Sequence, residues 1–194
     1  MIIPVLRTPR LEIRTLCEAD LIPCHQLYDD IVWSDLSLSG AERLARRRSW
    51  IAWSIDSERE FARLRQPPYG DRAIVWRETG DFIGLVGLVP AMAPFGRLPS
   101  FGGRPEARAT AEVGLFWAVS PTRQGLGVAT EAAKALIDQA FTALEIERII
   151  ATTDHDNLAS QGVMRRLGMT LERNPWPDPP WFQTVGRLDA GARP

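Results

Sequence analysis

A short glycine-containing segment has the residue types and spacing to bind an anion. The apolar run Trp117-Ala118-Val119 is followed by Gln124-Gly125-Leu126-Gly127 and then by a helix-like stretch. Glycines let backbone N–H groups approach a ligand closely, and the N-terminus of a helix adds a partial positive charge. The pattern is typical of a pyrophosphate site, although a structural turn that packs a helix on a strand would have the same sequence features.

The spacing of these glycines excludes the other common phosphate motifs. A Walker loop has four residues between its glycines and then Lys-Ser or Lys-Thr, and the dinucleotide fingerprint has three glycines at other positions. Here a single residue, Leu126, separates Gly125 from Gly127, and Thr130 stands where a further glycine would be needed. The segment is therefore a phosphate-site candidate of a different kind.

Composition favours a soluble protein of one domain. The chain has 194 residues, of which 45% are hydrophobic, and its 23 basic and 24 acidic residues give a net charge of −1. Those proportions exclude wholesale disorder and argue against a dedicated nucleic-acid binder. The first residues lack the features of a signal peptide, and the longest uncharged stretch, Phe82–Gly96, is too short to span a bilayer.

The cysteines and histidines do not form a recognisable metal or disulfide pattern. Cys17 and Cys24 fit neither a zinc site nor a disulfide framework, and two cysteines in a chain of this length suit a reducing compartment. His25 and His155 are far apart and match no ligand spacing. We therefore expect a cytoplasmic protein without a metal site.

The periodicity of apolar residues predicts the strands and helices that must position the glycine segment. Alternation over Leu11–Arg14 predicts a half-buried strand, and Ser39 with Glu42 has the spacing of a capping box. The remaining predicted elements are a helix between residues 20 and 31, a hairpin of strands 73–76 and 82–88, a strand over 112–119, a helix over 129–144, a strand over 148–153, a short helix ending at Gly168 and a strand over 181–188. Mixed helices, hairpins and crossovers indicate an α+β fold.

Three segments of the chain together resemble a known family. Gln124-x-x-Gly127-x-Ala129 resembles the Gln/Arg-x-x-Gly-x-Gly/Ala signature of the GNAT superfamily of acyl-CoA-dependent N-acyltransferases. The segments similar to its RimJ/RimL branch, whose members acetylate protein N-termini, are 6–14, 129–132 and 156–169. The resemblance covers about residues 6–188, and it implies a mixed, mostly antiparallel sheet flanked by helices, with a splayed parallel strand pair at the acyl-CoA site.

The resemblance also implies where the co-substrate acetyl-CoA would bind. The backbone of Trp117, Ala118 and Val119 would pair with the pantetheine arm, and Asn157 matches a position that bonds this arm. The pyrophosphate would be held by the amides of the loop and helix start: Gln124, Gly125, Leu126, Gly127, Val128, Ala129 and Thr130.

Acyl transfer to an amine requires a base for the amine proton and an acid for the departing thiolate. Glu112, at the start of the strand that leads to the loop, is the best-placed carboxylate in sequence, although it can equally be a surface charge on an edge strand. By resemblance, Ser160 would protonate the thiolate, unless its hydroxyl only bonds locally at a helix terminus. Neither Cys17 nor Cys24 lies near the candidate site in sequence, which favours direct transfer without a covalent enzyme intermediate.

Several properties remain open at the level of sequence. The acceptor can be a protein N-terminus or a small amine, and a non-catalytic acyl-CoA-binding sensor would have the same loop. Homodimers are common in the family, so a homodimer is a further expectation. Within the single domain predicted for residues 1–194, the Pro- and Gly-rich insertion loop 90–110 is expected to form a lid or wall of the acceptor site, or else an oligomer arm.

Overall fold

The computed structural model describes residues 2–192, which form eight strands and four α-helices. In chain order these elements are β1 (Leu6–Arg7), β2 (Leu11–Thr15), α1 (Leu21–Asp30), α2 (Gly40–Arg63), β3 (Gly70–Trp76), β4 (Phe82–Ala93), β5 (Thr110–Val119), α3 (Val128–Thr142), β6 (Arg148–Thr153), α4 (Leu158–Arg166), β7 (Thr170–Arg173) and β8 (Thr184–Asp189). The strand order in the sheet is β1-β2-β3-β4-β5-β6-β8-β7.

The chain divides into two compact units, and the first comprises residues 2–88 and Phe116–Leu136. Its strands β1, β2, β3 and β4 pair antiparallel in sequence order. Alternate residues of these strands, such as Ala73 and Leu85, point to one face and are fully buried there. Helices α1 and α2 cover this face with Cys24, Leu27 and Ile51, so the apolar side chains of helices and strands form one core.

Local sequence explains where the helices of the first unit begin. Ser39 and Glu42 form the predicted capping box, in which each side chain accepts a hydrogen bond from the other residue's backbone N–H. Asp20 precedes α1 and is nearly fully buried, and both of its carboxylate oxygens accept hydrogen bonds from the guanidinium of Arg14 on β2. Although burial raises the pKa of Asp20, the hydrogen bonds from Arg14 and from the Cys17 amide bring it below its ordinary value.

The second unit comprises Val89–Leu115 and residues 137–192. Here β6 pairs in parallel with β5 through Gly114 and Ile150, whereas β6 with β8 and β8 with β7 pair antiparallel. Within residues 2–192, the part of β5 that follows Gly114 has no partner on β6. The mixed, mostly antiparallel sheet with one short parallel pair is the α+β fold that the sequence predicts.

The sequence-based assignment is wrong for the 90–110 segment, and it also lacks the short strand β1. The 90–110 segment is not an irregular loop throughout, because β4 continues to Ala93 and two 3-10 turns follow at Phe95–Arg97 and Pro99–Phe101. The segment is ordered because Phe95 and Leu98 are fully buried in the core of the second unit with Phe182. The strand β7 is also absent from the predicted elements, since Thr170–Arg173 is too short to show periodicity.

No helix within residues 2–192 combines the length and the apolar composition needed to cross a membrane. The prediction of a single domain for residues 1–194 stays a prediction, and residues 1, 193 and 194 lie outside the described residues.

The Arg14–Asp20 pair generates a prediction about stability. Asp20→Ala leaves the Arg14 guanidinium partly buried without its partner, so we expect the free energy of unfolding to fall by about 3 kcal/mol. Chemical denaturation followed by circular dichroism measures this change. Glu60→Ala, which removes an exposed pair with Arg63, is the control and should cost under about 1 kcal/mol. Equal losses in the two variants would contradict the role assigned to Asp20.

Candidate functional site

The glycine segment forms a turn between β5 and α3 in the first unit. After Val119 the chain makes a 3-10 turn at Pro121–Arg123, and the side-chain amide of Gln124 donates a hydrogen bond to the Val119 carbonyl at 3.0 Å. Gly125 and Gly127 have φ values of 72° and 77°, in the left-handed region that glycine adopts without strain. Their conformation turns the chain directly from the strand into α3.

The start of α3 has the properties of an anion site. The amides of its first turn, Val128, Ala129 and Thr130, have no acceptor inside the helix, because an α-helix leaves its first N–H groups unpaired. The Thr130 hydroxyl is buried and, within the described residues, has no hydrogen-bond partner. With the positive end of the helix dipole, these groups fit the pyrophosphate of a CoA ester. The guanidinium of Arg123, 4.6 Å from the Trp76 ring centroid, adds a positive charge in this turn.

Glu131 fixes the first turn of α3 to the N-terminal segment of the chain. Its carboxylate accepts hydrogen bonds from the Thr8 hydroxyl at 2.6 Å, the Arg10 backbone amide at 3.2 Å and the Arg10 guanidinium at 2.7 Å. Arg10 also donates to the carbonyl of Leu126 inside the turn, at 2.9 Å. One carboxylate and one guanidinium thus hold both the helix start and the turn before it.

Sequence reasoning did not identify this function of Glu131. The residue appears there only as part of the 129–132 motif, and its partners are more than 120 positions earlier in the chain. The signal that could have found it is the joint occurrence of that motif with Thr8 and Arg10 in the 6–14 motif. Partial burial raises the pKa of Glu131, but the hydrogen bonds from Thr8 and Arg10 outweigh burial and bring it below 4.5.

Glu112 lies in the second unit and is held in an ion pair. Its two carboxylate oxygens accept hydrogen bonds from Arg148, at 2.7 Å and 2.9 Å, and its side chain is 10% exposed. Arg148 in turn stacks on the ring of Phe101, 5.1 Å from its centroid. Both oxygens therefore accept charge-assisted hydrogen bonds from one guanidinium, which holds the Glu112 side chain against Arg148.

Asn157 and Ser160 lie together at the start of α4, also in the second unit. Asn157 caps the helix, and its side-chain oxygen accepts a hydrogen bond from the Ser160 amide at 3.0 Å. The Ser160 hydroxyl, by contrast, has no hydrogen-bond partner within residues 2–192. The local bonding at this helix terminus is therefore made by the backbone of Ser160, and its hydroxyl is available to a ligand.

The predicted site residues fall into two groups. Residues 117–130 form one continuous strand–turn–helix in the first unit, whereas Glu112, Asn157 and Ser160 belong to the second unit. Among the described residues, no hydrogen bond or ion pair joins Glu112 to Asn157 or Ser160.

The 90–110 segment is fastened within the second unit. The Ser100 amide and hydroxyl donate hydrogen bonds to the Glu172 carboxylate, and the Ser100 carbonyl accepts one from Arg187. Arg187 also lies 5.0 Å from the ring centroid of Phe101. These contacts favour a fixed wall over a segment that opens and closes. Its predicted place at the acceptor site is not tested by them.

No group of three or more His, Cys, Asp and Glu side chains in the described part of the chain is arranged to hold a metal ion. His155, which matches no metal-ligand spacing in the sequence, pairs its Nδ1 atom with the Thr184 hydroxyl at 2.9 Å.

Comparisons with known proteins agree with this geometry. Residues 10–170 match the family model described as acetyltransferase (GNAT) domain. A curated relative, the uncharacterized N-acetyltransferase YnaD of Bacillus subtilis, is 40% identical over 63 residues, which are 32% of this chain and 36% of that protein. The matches cover 29–64% of the lengths of the first curated relatives.

Solved structures extend the similarity over the whole fold. The acetyltransferase from Agrobacterium tumefaciens C58 superposes with a TM-score of 0.67 at 26% identity, over 97% of this chain and 95% of that one. RimL, a ribosomal L7/L12 alpha-N-protein acetyltransferase solved with coenzyme A, shares the fold with a TM-score of 0.63 at 19% identity, over the full length of both chains.

The strand–turn–helix with its unpaired helix-start amides and the mixed sheet are consistent with the GNAT class. Since the family model spans most of the sequence, the chain belongs to the acetyltransferase (GNAT) family, whose chemistry is acyl transfer from acetyl-CoA.

The Glu131 contacts generate a prediction about the helix start. Glu131→Ala removes the acceptor of Thr8 and Arg10, so we expect the free energy of unfolding at pH 7 to fall by about 2 kcal/mol. The folded-state pKa of Glu131 is lowered. Its contribution to the free energy of unfolding is therefore present above the ordinary pKa of 4.5 and is lost as the pH falls through the folded-state pKa. Denaturation curves of parent and variant at pH 7 and pH 3 test this. A difference that is as large at pH 3 as at pH 7 would contradict the ionic role.

Proposed function

We propose that the protein is an N-acetyltransferase that moves an acetyl group from acetyl-CoA directly to a primary amine. The observation that carries this proposal is the start of α3, where unpaired amides follow two left-handed glycines and Glu131 holds the turn in place. Such a preformed arrangement binds a pyrophosphate without paying the entropy of ordering a loop.

The co-substrate is assigned to the strand–turn–helix of the first unit. The backbone of Trp117, Ala118 and Val119 pairs with the pantetheine arm, and the amides from Gln124 to Thr130 bind the pyrophosphate. The lack of β6 partners after Gly114 supports the first part of this assignment, because those β5 backbone groups need another partner. The coenzyme A bound to RimL, a protein of the same fold, supports the second.

The residues of the second unit are assigned to the cofactor arm and to proton transfer. Asn157 bonds the pantetheine arm, and Ser160 gives a proton to the departing thiolate, which its unpartnered hydroxyl supports. Glu112 is the base in the sequence-based hypothesis. Its ion pair with Arg148 makes that role the weakest of these assignments.

The acceptor is proposed from the RimJ/RimL-like motifs as a protein N-terminal amine of the ribosomal-protein type, with a small amine as the alternative. The structural similarity to RimL supports the first choice. We further propose a cytoplasmic enzyme, supported by the free thiols of Cys17 and Cys24, and a homodimer on family grounds alone.

The glycine turn supplies the test of co-substrate binding. Acetyl-CoA at about 100 times its dissociation constant should stabilise the parent by about 2.7 kcal/mol. Gly127→Val should abolish most of this gain, because the branched side chain obstructs the approach of the phosphate. The control is Gly80→Val, at a hairpin glycine with nearly the same φ of 78° and nothing within 4 Å of an added Cβ atom. Equal ligand-induced stabilisation of both variants, measured by thermal unfolding, would contradict the assignment.

A transfer assay separates the enzyme from a non-catalytic acyl-CoA sensor. CoA release from acetyl-CoA should depend on an added amine, such as an N-terminally free peptide, and should stop when that amine is already acetylated. Binding of acetyl-CoA without transfer to any member of a panel of peptides and small amines would favour the sensor.

A further inference from the structure

Asp71, a carboxylate of the first unit, has no hydrogen-bond or ion-pair partner in the described part of the chain. Asp71, on β3, is half-buried, yet within residues 2–192 no hydrogen-bond donor or cation lies within bonding distance of it. Asp20, Glu112 and Glu131 are also largely buried, and each of them accepts hydrogen bonds from a guanidinium. Because Asp71 is only half-buried, its unpaired oxygens remain open to a ligand that can complete their bonding.

The strand register places Asp71 beside a glycine of the neighbouring strand β4. Asp71 pairs with Gly87 on β4, and a Cβ atom added to Gly87 would lie 2.8 Å from the Asp71 carboxylate oxygen Oδ1. The carboxylate therefore lies across this glycine, in space that any other residue would fill. The backbone also requires glycine at 87, because the Gly70 carbonyl oxygen would lie 2.5 Å from the same added Cβ atom.

Phe116 on β5 is the residue on the other side of Gly87. Gly84 of β4 lies against Ala118 and Val119, so counting three residues back along the antiparallel strand brings Phe116 opposite Gly87. Phe116 directly precedes Trp117, where the proposed pairing with the pantetheine arm begins. Asp71, Gly87 and Phe116 therefore form one row across the strands β3, β4 and β5. The last residue of this row is adjacent in sequence to the backbone proposed to pair with the co-substrate.

Aromatic rings from α1, from the loop that follows it, and from α2 form a chain of contacts that ends at Phe116 in this row. Tyr28 contacts Trp50 with centroids 6.1 Å apart, and it contacts Trp33 at 6.2 Å. Trp33 in turn contacts Phe116 at 5.7 Å. Trp33 is 59% exposed, so the cluster is open to solvent at this residue. The Arg47 guanidinium already lies over the faces of Tyr28 and Trp50, 3.4 Å and 5.2 Å from their ring centroids. The rings of Trp33 and Phe116 carry no such cation among the described residues, and rings of this kind attract an ammonium group through their faces.

The charges around Asp71 suit a base that works near neutral pH. Burial raises its pKa to about 6, and the positive charge of Arg47 on α2 acts in the opposite direction. From α1, Cys24 and Tyr28 face the same space, and burial raises the pKa of each to about 12, so neither is charged near neutrality. From β4 and β5 the neighbours are Gly87 and Phe116, which do not titrate.

We propose that Asp71 binds the ammonium group of the acceptor and removes its proton, beside the rings of Trp33 and Phe116. This inference rests on the proposed acetyltransferase function. The carboxylate takes a proton from the ammonium and becomes a carboxylic acid, and the amine is left neutral. The amine then forms the N–C bond to the thioester carbonyl, loses its second proton to water, and the C–S bond breaks with the electron pair leaving on the CoA sulfur. That thiolate is protonated to give free CoA.

The test compares Asp71→Asn with two other carboxylate-to-amide variants. Asp71→Asn should lower kcat/KM for the amine at least about 100-fold at pH 7, remove the fall in rate below about pH 6, and regain activity towards pH 9, where more amine is already neutral. Asp56→Asn, at an exposed α2 residue, should behave as the parent. Glu112→Gln tests the rival base and should keep the parental acid limb. The affinity for acetyl-CoA should change less than about threefold in Asp71→Asn.

The same experiment includes a control for correct folding of the variants. Asp71→Asn removes a carboxylate that has no partner, so its unfolding midpoint at pH 7 should equal or exceed that of the parent. Asp71→Glu keeps a base and should retain more activity than the asparagine variant. A parent that acetylates amines while Asp71→Asn keeps its rate and its pH profile overturns the assignment of Asp71 alone. A parent that binds acetyl-CoA but transfers to no amine overturns the proposed function as well.

Discussion

The carboxylate of Glu131 is the contact on which the geometry of the candidate site depends. A helix start can bind an anion only if its first turn stays formed and its amides point to one place, and an isolated first turn frays readily. Thr8 and Arg10 prevent this by donating three hydrogen bonds to Glu131. Since Arg10 also holds the Leu126 carbonyl, the left-handed turn and the helix are fixed by the same pair of residues.

The carboxylates that lie away from solvent differ in whether a guanidinium pairs with them. Asp20, Glu112 and Glu131 each accept hydrogen bonds from a guanidinium and so connect neighbouring elements. The hydrogen bonds lower the pKa of Asp20 and of Glu131. Asp71 lacks such a donor, so burial dominates and favours its neutral form. A carboxylate that is paired with a guanidinium makes the fold more rigid, whereas an unpaired one can exchange a proton with a ligand.

The features set by nearby residues were predictable from the sequence. The capping box at Ser39 depends on four consecutive residues, and the left-handed turn depends on Gly125 and Gly127, so both could be assigned before the structure was known. The 90–110 segment was misjudged because its prolines and glycines mask Phe95 and Leu98, which are buried by residues far away in the chain.

The features set by distant residues were not predictable in this way. Glu112 is prominent in sequence because it starts the strand before the glycine turn, but its ion pair with Arg148 joins residues 36 positions apart. Asp71 has no sequence signal at all, because its character comes from a missing partner, a glycine on the next strand and rings from other segments of the chain. An unpaired group becomes visible only when all of its neighbours are known.

Amide-resolved NMR of the parent protein, titrated with CoA and separately with pantetheine, tests the central claim most directly. If the start of α3 binds the pyrophosphate, CoA should shift the amide resonances from Gly125 to Thr130 strongly. Pantetheine, which has no pyrophosphate, should leave these resonances nearly unchanged while it shifts those of residues 117–119. Saturable CoA binding that leaves the amides of Gly125–Thr130 unshifted would contradict this account of the site.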